Sequence, residues 1–164
     1  MIHRIGVISD THMPPHKRLP ESLWQIFDDV ELIIHAGDLS TLAVVAELET
    51  IAPVVAVQGN VERDDVVTKL PIKREIKVGG VRIGIVHILG ESKYYARTAR
   101  REFPDARVVV FGHSHVPYNE EYEGVLLFNP GSTNERRRQP TCSVGMLIID
   151  DETMHVQGEI ISLE

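Results

Sequence analysis

Ile5-Gly6-Val7-Ile8-Ser9-Asp10-Thr11-His12 is an apolar run that breaks off in a polar cluster, and the chain repeats this design. Leu32-Ile33-Ile34 runs into His35-Ala36-Gly37-Asp38, and Val54 to Val57 into Gln58-Gly59-Asn60. Val81 to Val86 ends at His87, and Val108 to Phe111 ends in Gly112-His113-Ser114-His115. Short runs rich in Val and Ile, bounded by Gly, Asp and Asn, read as strands buried on both faces.

Helical stretches fit between them. Leu19 to Phe27 has Pro20 near its start, where a missing N–H costs nothing. Thr41 to Thr50 has Ser40 or Thr41 as a candidate N-cap, and Ser92 to Phe103 is stopped by Pro104. The opening β-α-β-α-β order implies a parallel sheet with right-handed crossovers. After residue 70 hairpins take over. Ile72–Val78 and Val81–His87 flank Gly79-Gly80, Val116 to Phe128 turns near Glu123-Gly124, and Val144–Ile149 and Met154–Ile160 flank Asp150-Asp151-Glu152. The expected fold is α/β: two stacked mixed β-sheets flanked by helices, in one domain spanning residues 1–164.

The polar clusters gather metal-capable side chains. Asp10 and His12 follow the first strand, Asp38 the second and Asn60 the third; His87, His113 and His115 follow later ones. Ligands of open α/β sheets collect at the carboxyl ends of strands, so these seven residues should meet at one rim. Carboxylate and imidazole together suit first-row divalent ions, and the lack of thiolate argues against a structural zinc site. The pairs Asp10/His12 and His113/His115 are spaced i, i+2, which in extended backbone points both side chains the same way. Each residue alone has an ordinary explanation as a turn or packing residue; the joint pattern does not.

The chain has 164 residues, 43% hydrophobic and 25% charged, and a formal net charge of −7. That composition suits one globular core and argues against an extended basic nucleic-acid surface. The run Arg136-Arg137-Arg138 reads first as a solvated loop, with a local anion or subunit contact as its alternative. The single cysteine, Cys142, permits no intramolecular disulfide and fits a reducing compartment. No apolar stretch approaches the roughly 20 residues of a membrane span or forms the core of a secretory signal. A cytoplasmic protein is therefore expected, with no membrane partner and with homo-oligomerisation left open.

The ordered string Asp-X-His, Gly-Asp, Gly-Asn, His, Gly-His-X-His resembles the calcineurin-like metallophosphoesterase superfamily. The tail Asn129-Pro130-Gly131-Ser132 is similar to that of its small YfcE-type phosphodiesterases. The resemblance implies an αββα sandwich and two divalent ions, manganese foremost, with nickel, iron or zinc as alternatives. It assigns Asp10, His12 and His115 to one ion, Asn60, His87 and His113 to the other, and Asp38 to both, one oxygen for each. It further implies hydrolysis of a small phosphorylated substrate, foremost a phosphodiester, by a metal-bridging hydroxide. Asp38, Asn60 and His87 would act through the metals, with no separate general acid.

Three departures stand out. Many relatives carry Gly-Asn-His-Glu, whose His can protonate the leaving group; here Val61 cannot. The His-Gly-His of relatives becomes His87-Ile88-Leu89. A Pro-Arg pair near the tail motif becomes Arg136-Arg137. The alternatives from other classes are an inert interaction scaffold of the same fold, which would be expected to lack ligands, and a nuclease. His35 reads as a packed or supporting residue, His16 as an exposed loop residue and Tyr94-Tyr95 as packing. His3, His155, Lys93 and Arg97 stay unassigned.

Overall fold

The computed structural model describes residues 1–13 and 18–163; His16 lies outside the described residues. One sheet joins β1 (Ile2–Ile8), β2 (Leu32–His35), β3 (Val54–Ala56), β9 (Cys142–Asp150) and β10 (His155–Leu163) in the order β10-β9-β1-β2-β3. The other joins β4 (Lys73–Val78), β5 (Val81–Val86), β6 (Val108–Val110), β7 (Tyr118–Tyr122) and β8 (Val125–Asn129) in the order β4-β5-β6-β8-β7. Both sheets are mixed. β1-β2-β3 and β5-β6-β8 run parallel, and the hairpin strands add antiparallel edges.

The strands lack alternation because both their faces are buried. Val108 and Val110 pack with Ile5, Val7, Ile34, Ile83, Ile85, Leu147 and Ile149 in the core between the sheets. Val109, pointing the other way, packs under α4 (Tyr95–Glu102) with Ala99, Phe103 and Phe111. On the outer face of the first sheet, Ile8, Ile33 and Met146 pack with Leu23 and Phe27 near α1 (Leu23–Ile26) and with Val44 and Leu48 of α2 (Ala43–Leu48). Helices therefore cover both outer faces of a two-sheet sandwich, which is the expected fold class.

Several boundaries differ from expectation. The first helix keeps only Leu23–Ile26, and Pro20 acts through its carbonyl, which accepts the Leu23 N–H. The second helix has no side-chain cap. Ser40 instead takes a left-handed φ of 78° and bridges to Glu62. A short helix α3 (Asp64–Lys69) was not expected at all. Among the described residues, no helix is long and apolar enough to cross a membrane.

Candidate metal centre

All seven side chains meet at one rim. Asp10, His12 and His115 form one group and Asp38, His87 and His113 another, each with its donor atoms within 4.8 Å of one another. The Asn60 carbonyl oxygen joins the second group, 3.0 Å from His87 Nε2 and 3.1 Å from His113 Nδ1. Asp38 Oδ2 stands between the groups, 3.5 Å from His12 Nε2 and 3.2 Å from His87 Nε2. Its Oδ1 accepts the Val61 N–H at 2.8 Å. Asp38 therefore faces both groups through one oxygen, where the resemblance implied one oxygen for each.

The local backbone is not the extended chain that the i, i+2 spacing suggests. Asp10, His12, Asp38, His113 and His115 all have left-handed φ, between 43° and 75°. Non-glycine residues take this conformation at a cost and cluster at functional sites when their surroundings enforce it. Here the surroundings are visible. The N–H groups of Asp10 and His12 donate to Gly37 O and Asp38 O, joining the first two clusters. Two glycines let other segments come close. A Cβ on Gly59 would lie 2.1 Å from Asp38 Oδ1, and one on Gly112 2.1 Å from Ser9 Oγ and 2.7 Å from Asp10 Oδ2.

Supporting bonds aim the donors. Asp10 Oδ2 accepts from Ser9 Oγ at 2.7 Å and from the His113 N–H at 3.0 Å, while its buried Oδ1 has no hydrogen-bond partner among the described residues. His87 Nδ1 lies 2.7 Å from Ala36 O, and His115 Nδ1 lies 2.8 Å from Glu135 O. A carbonyl only accepts, so each Nδ1 carries the proton. In the neutral ring Nε2 then turns its lone pair to the cluster, the tautomer a metal ligand needs.

Electrostatics follow the crowding. Burial alone would push the Asp10 carboxyl up, but the facing His115 and His12 rings hold it well below the usual carboxylate range. Asp38 is likewise lowered, with His87 outweighing burial. The Asp10 carboxylate raises His12, and Asp38 raises His87 against the opposing effect of burial. His113 is lowered by burial and by His87. An unpartnered buried oxygen among imidazole nitrogens turned toward it fits a divalent cation, and the mixed O/N donors suit a first-row ion.

Sequence reasoning missed the residues that hold these loops. Glu62 accepts the N–H groups of Asp38, Ser40 and Gly59 at 3.1, 2.8 and 2.8 Å, although burial pushes its carboxyl up. Asn129 Nδ2 donates to Gly112 O, and Ser132 Oγ donates to Asp10 O at 2.8 Å. The signal for all three lay in the motifs Gly-Asn-X-Glu and Asn-Pro-Gly-Ser. His35 proves to be a supporting residue. Burial pushes it down to about 3, its Nδ1 accepts the Gly37 N–H, and its Nε2–H donates to Thr11 Oγ1.

A probable metallophosphoesterase of Methanothermobacter thermautotrophicus is 40% identical over 159 residues, covering 93% of this chain and 90% of that protein. A phosphodiesterase of Methanocaldococcus jannaschii is 29% identical, covering 78% and 82% of the two chains. The Vps29 of Entamoeba histolytica, solved in complex with zinc, superposes with a TM-score of 0.76 at 23% identity over 97% and 98% of the chains, a likeness of fold. The profile of the calcineurin-like phosphoesterase superfamily domain matches residues 3–152, and the chain belongs to that superfamily.

Proposed function

We propose that the protein is a two-metal hydrolase acting on phosphodiesters of small molecules. In this reading Asp10, His12 and His115 would hold one divalent ion, Asn60, His87 and His113 would hold the second, and Asp38 would serve both. The observation that carries it is Asp10 Oδ1, buried without a partner among the described residues beside the His87 and His115 rings, whose Nδ1 protons are committed to carbonyls behind them. Two divalent ions in such a site neutralise phosphoryl charge and activate water near neutral pH.

The protein's part is to hold donors still. Ser9 and the His113 amide fix Asp10, the Val61 amide fixes Asp38, and Ala36 O and Glu135 O fix two rings. The Val61 side chain offers no proton to a leaving group. Substrates with acidic leaving groups are therefore favoured, and rates over substituted aryl phosphates should fall steeply as leaving-group pKa rises. A flat dependence would refute that part. Manganese leads the candidate ions, followed by nickel, iron and zinc. The Vps29 fold neighbours supply the rival reading, an interaction scaffold.

The test is hydrolysis of bis(4-nitrophenyl) phosphate by metal-free protein titrated with each ion. Turnover that saturates with added metal is expected. Absence of turnover with every ion would overturn the enzyme reading in favour of the scaffold.

A further inference from the structure

Two cavities share residues with the cluster, and their linings differ in charge. One, about 220 Å³, is lined by Ser114, His115, Val116 and the run Arg136-Arg137-Arg138-Gln139. The other, about 290 Å³, is lined by Asn60 and His87 together with Ile72, Ile88 and Glu102, whose carboxylate lies 3.9 Å from Lys73 Nζ. A negatively charged extension of a substrate is therefore drawn to the first flank, while among the described residues no Lys or Arg lines the second.

The arginine flank is built rather than incidental. The Gln139 N–H donates to Arg136 O at 2.9 Å, and Arg136 Nη1 donates to Gln139 O at 2.9 Å. This closes a turn with Arg137 and Arg138 at its tip, Arg137 at a left-handed φ of 50°. Among the described residues, none of the three guanidinium groups pairs with a carboxylate, whereas Arg4, Arg82, Arg100 and Arg107 each do. In a chain of net charge −7, three adjacent cations left without acidic partners are an unusual concentration. The turn is tied to the cluster itself, because Glu135, the residue before it, accepts the His115 Nδ1–H through its carbonyl.

We propose that this turn, with Ser114, His115 and Val116, forms an anion subsite that takes a second negatively charged group of the substrate, a further phosphate being the best match. The inference rests on the phosphodiesterase reading for the scissile bond and adds the substrate class: diesters in which one arm carries an additional phosphate. Guanidinium is suited to this work, since its planar fork binds phosphate oxygens two at a time. Arg136 is occupied in closing the turn, so Arg137 and Arg138 make the direct contacts. Such exposed contacts weaken as salt screens them.

The test titrates the ¹⁵N-labelled full chain with inorganic pyrophosphate, with and without EDTA. Saturable amide shifts at residues 114–116 and 136–139 are expected in EDTA, weakening as salt rises. The double variant R137A/R138A should bind about tenfold more weakly, and R137K/R138K should recover part of the loss. Unchanged affinity in R137A/R138A, or shifts scattered over other faces, would overturn the proposal. In the metal-loaded protein, the preference for a 4-nitrophenyl diester bearing a second phosphate over bis(4-nitrophenyl) phosphate should fall about tenfold in R137A/R138A, carried by KM. If neither ester is hydrolysed with any divalent ion, the phosphodiesterase reading fails while the pyrophosphate titration still decides the subsite.

Discussion

At the scale of single residues, the site depends on groups that never meet a substrate. Glu62 ties the Asp38 loop to the Gly59 loop through three backbone N–H groups. Glu62→Ala leaves those donors without their acceptor, and a loss of about 1–3 kcal/mol is expected in urea unfolding, together with weaker metal binding. A variant as stable as the parent would show that water replaces the carboxylate freely. Gly112→Ala places a methyl where Ser9 and Asp10 stand. Displacing Asp10 should lower metal affinity by about 10–100-fold in calorimetric titration, the usual cost of disturbing a ligand's support. Asp38→Ala removes the oxygen that faces both groups and should abolish turnover and lower bound metal; normal turnover with two ions bound would refute its proposed role. The candidate ligands were legible in the sequence because Asp, His and Asn recur after apolar runs. The left-handed backbone of Asp10, His12, Asp38, His113 and His115 was not, since it is set by loops closing on one another: nothing local in Ser9-Asp10-Thr11-His12 announces the bonds that the Asp10 and His12 N–H groups donate to Gly37 O and Asp38 O.

At the scale of elements, buried strands were the easiest to read and short helices the hardest. Val108-Val109-Val110 has no alternation because Val109 packs under α4 while its neighbours face the other sheet. By contrast α3 is six residues, Asp64–Lys69, with three β-branched members and only Val66 buried. Too short for a helical period, it is stabilised from outside, with Asp65 accepting the Leu42 N–H and with acidic residues in its first turn. The far end of the first sheet carries its own clasp. His3 joins Glu31 and Asp151 at 2.7 and 2.9 Å, and the N-terminal amine also meets Asp151. The hydrogen bonds to Asp151 and Glu31 raise the His3 pKa above the ordinary 6.5. A raised pKa contributes stability that is full below about pH 6.5 and is lost as pH rises through the folded value. His3→Gln should therefore cost more at pH 5.5 than at pH 9, read as the difference in unfolding midpoints. Equal losses at both pH values would contradict the clasp.

At the scale of the whole molecule, the sandwich delivers loops from both sheets to one rim: β1, β2 and β3 lead to Asp10, Asp38 and Asn60, and β5 and β6 to His87 and His113. Strand order across the two sheets follows from long-range pairing that local sequence does not encode, such as β9 lying beside β1 in antiparallel register. The cluster exists only in the folded chain, so an ion that binds it stabilises the fold. An ion at a hundredfold its Kd should add about 2.7 kcal/mol, raising Tm by about 5–10 °C, reversibly with EDTA. A melting curve indifferent to every divalent ion would show that the cluster does not bind metal in the folded state.

The most direct measurement is anomalous diffraction from crystals grown with manganese. Two peaks are expected, one among Asp10, His12 and His115 and one among Asn60, His87 and His113, with Asp38 between them. A rim without anomalous density, while manganese sits elsewhere on the protein, would contradict the two-metal centre.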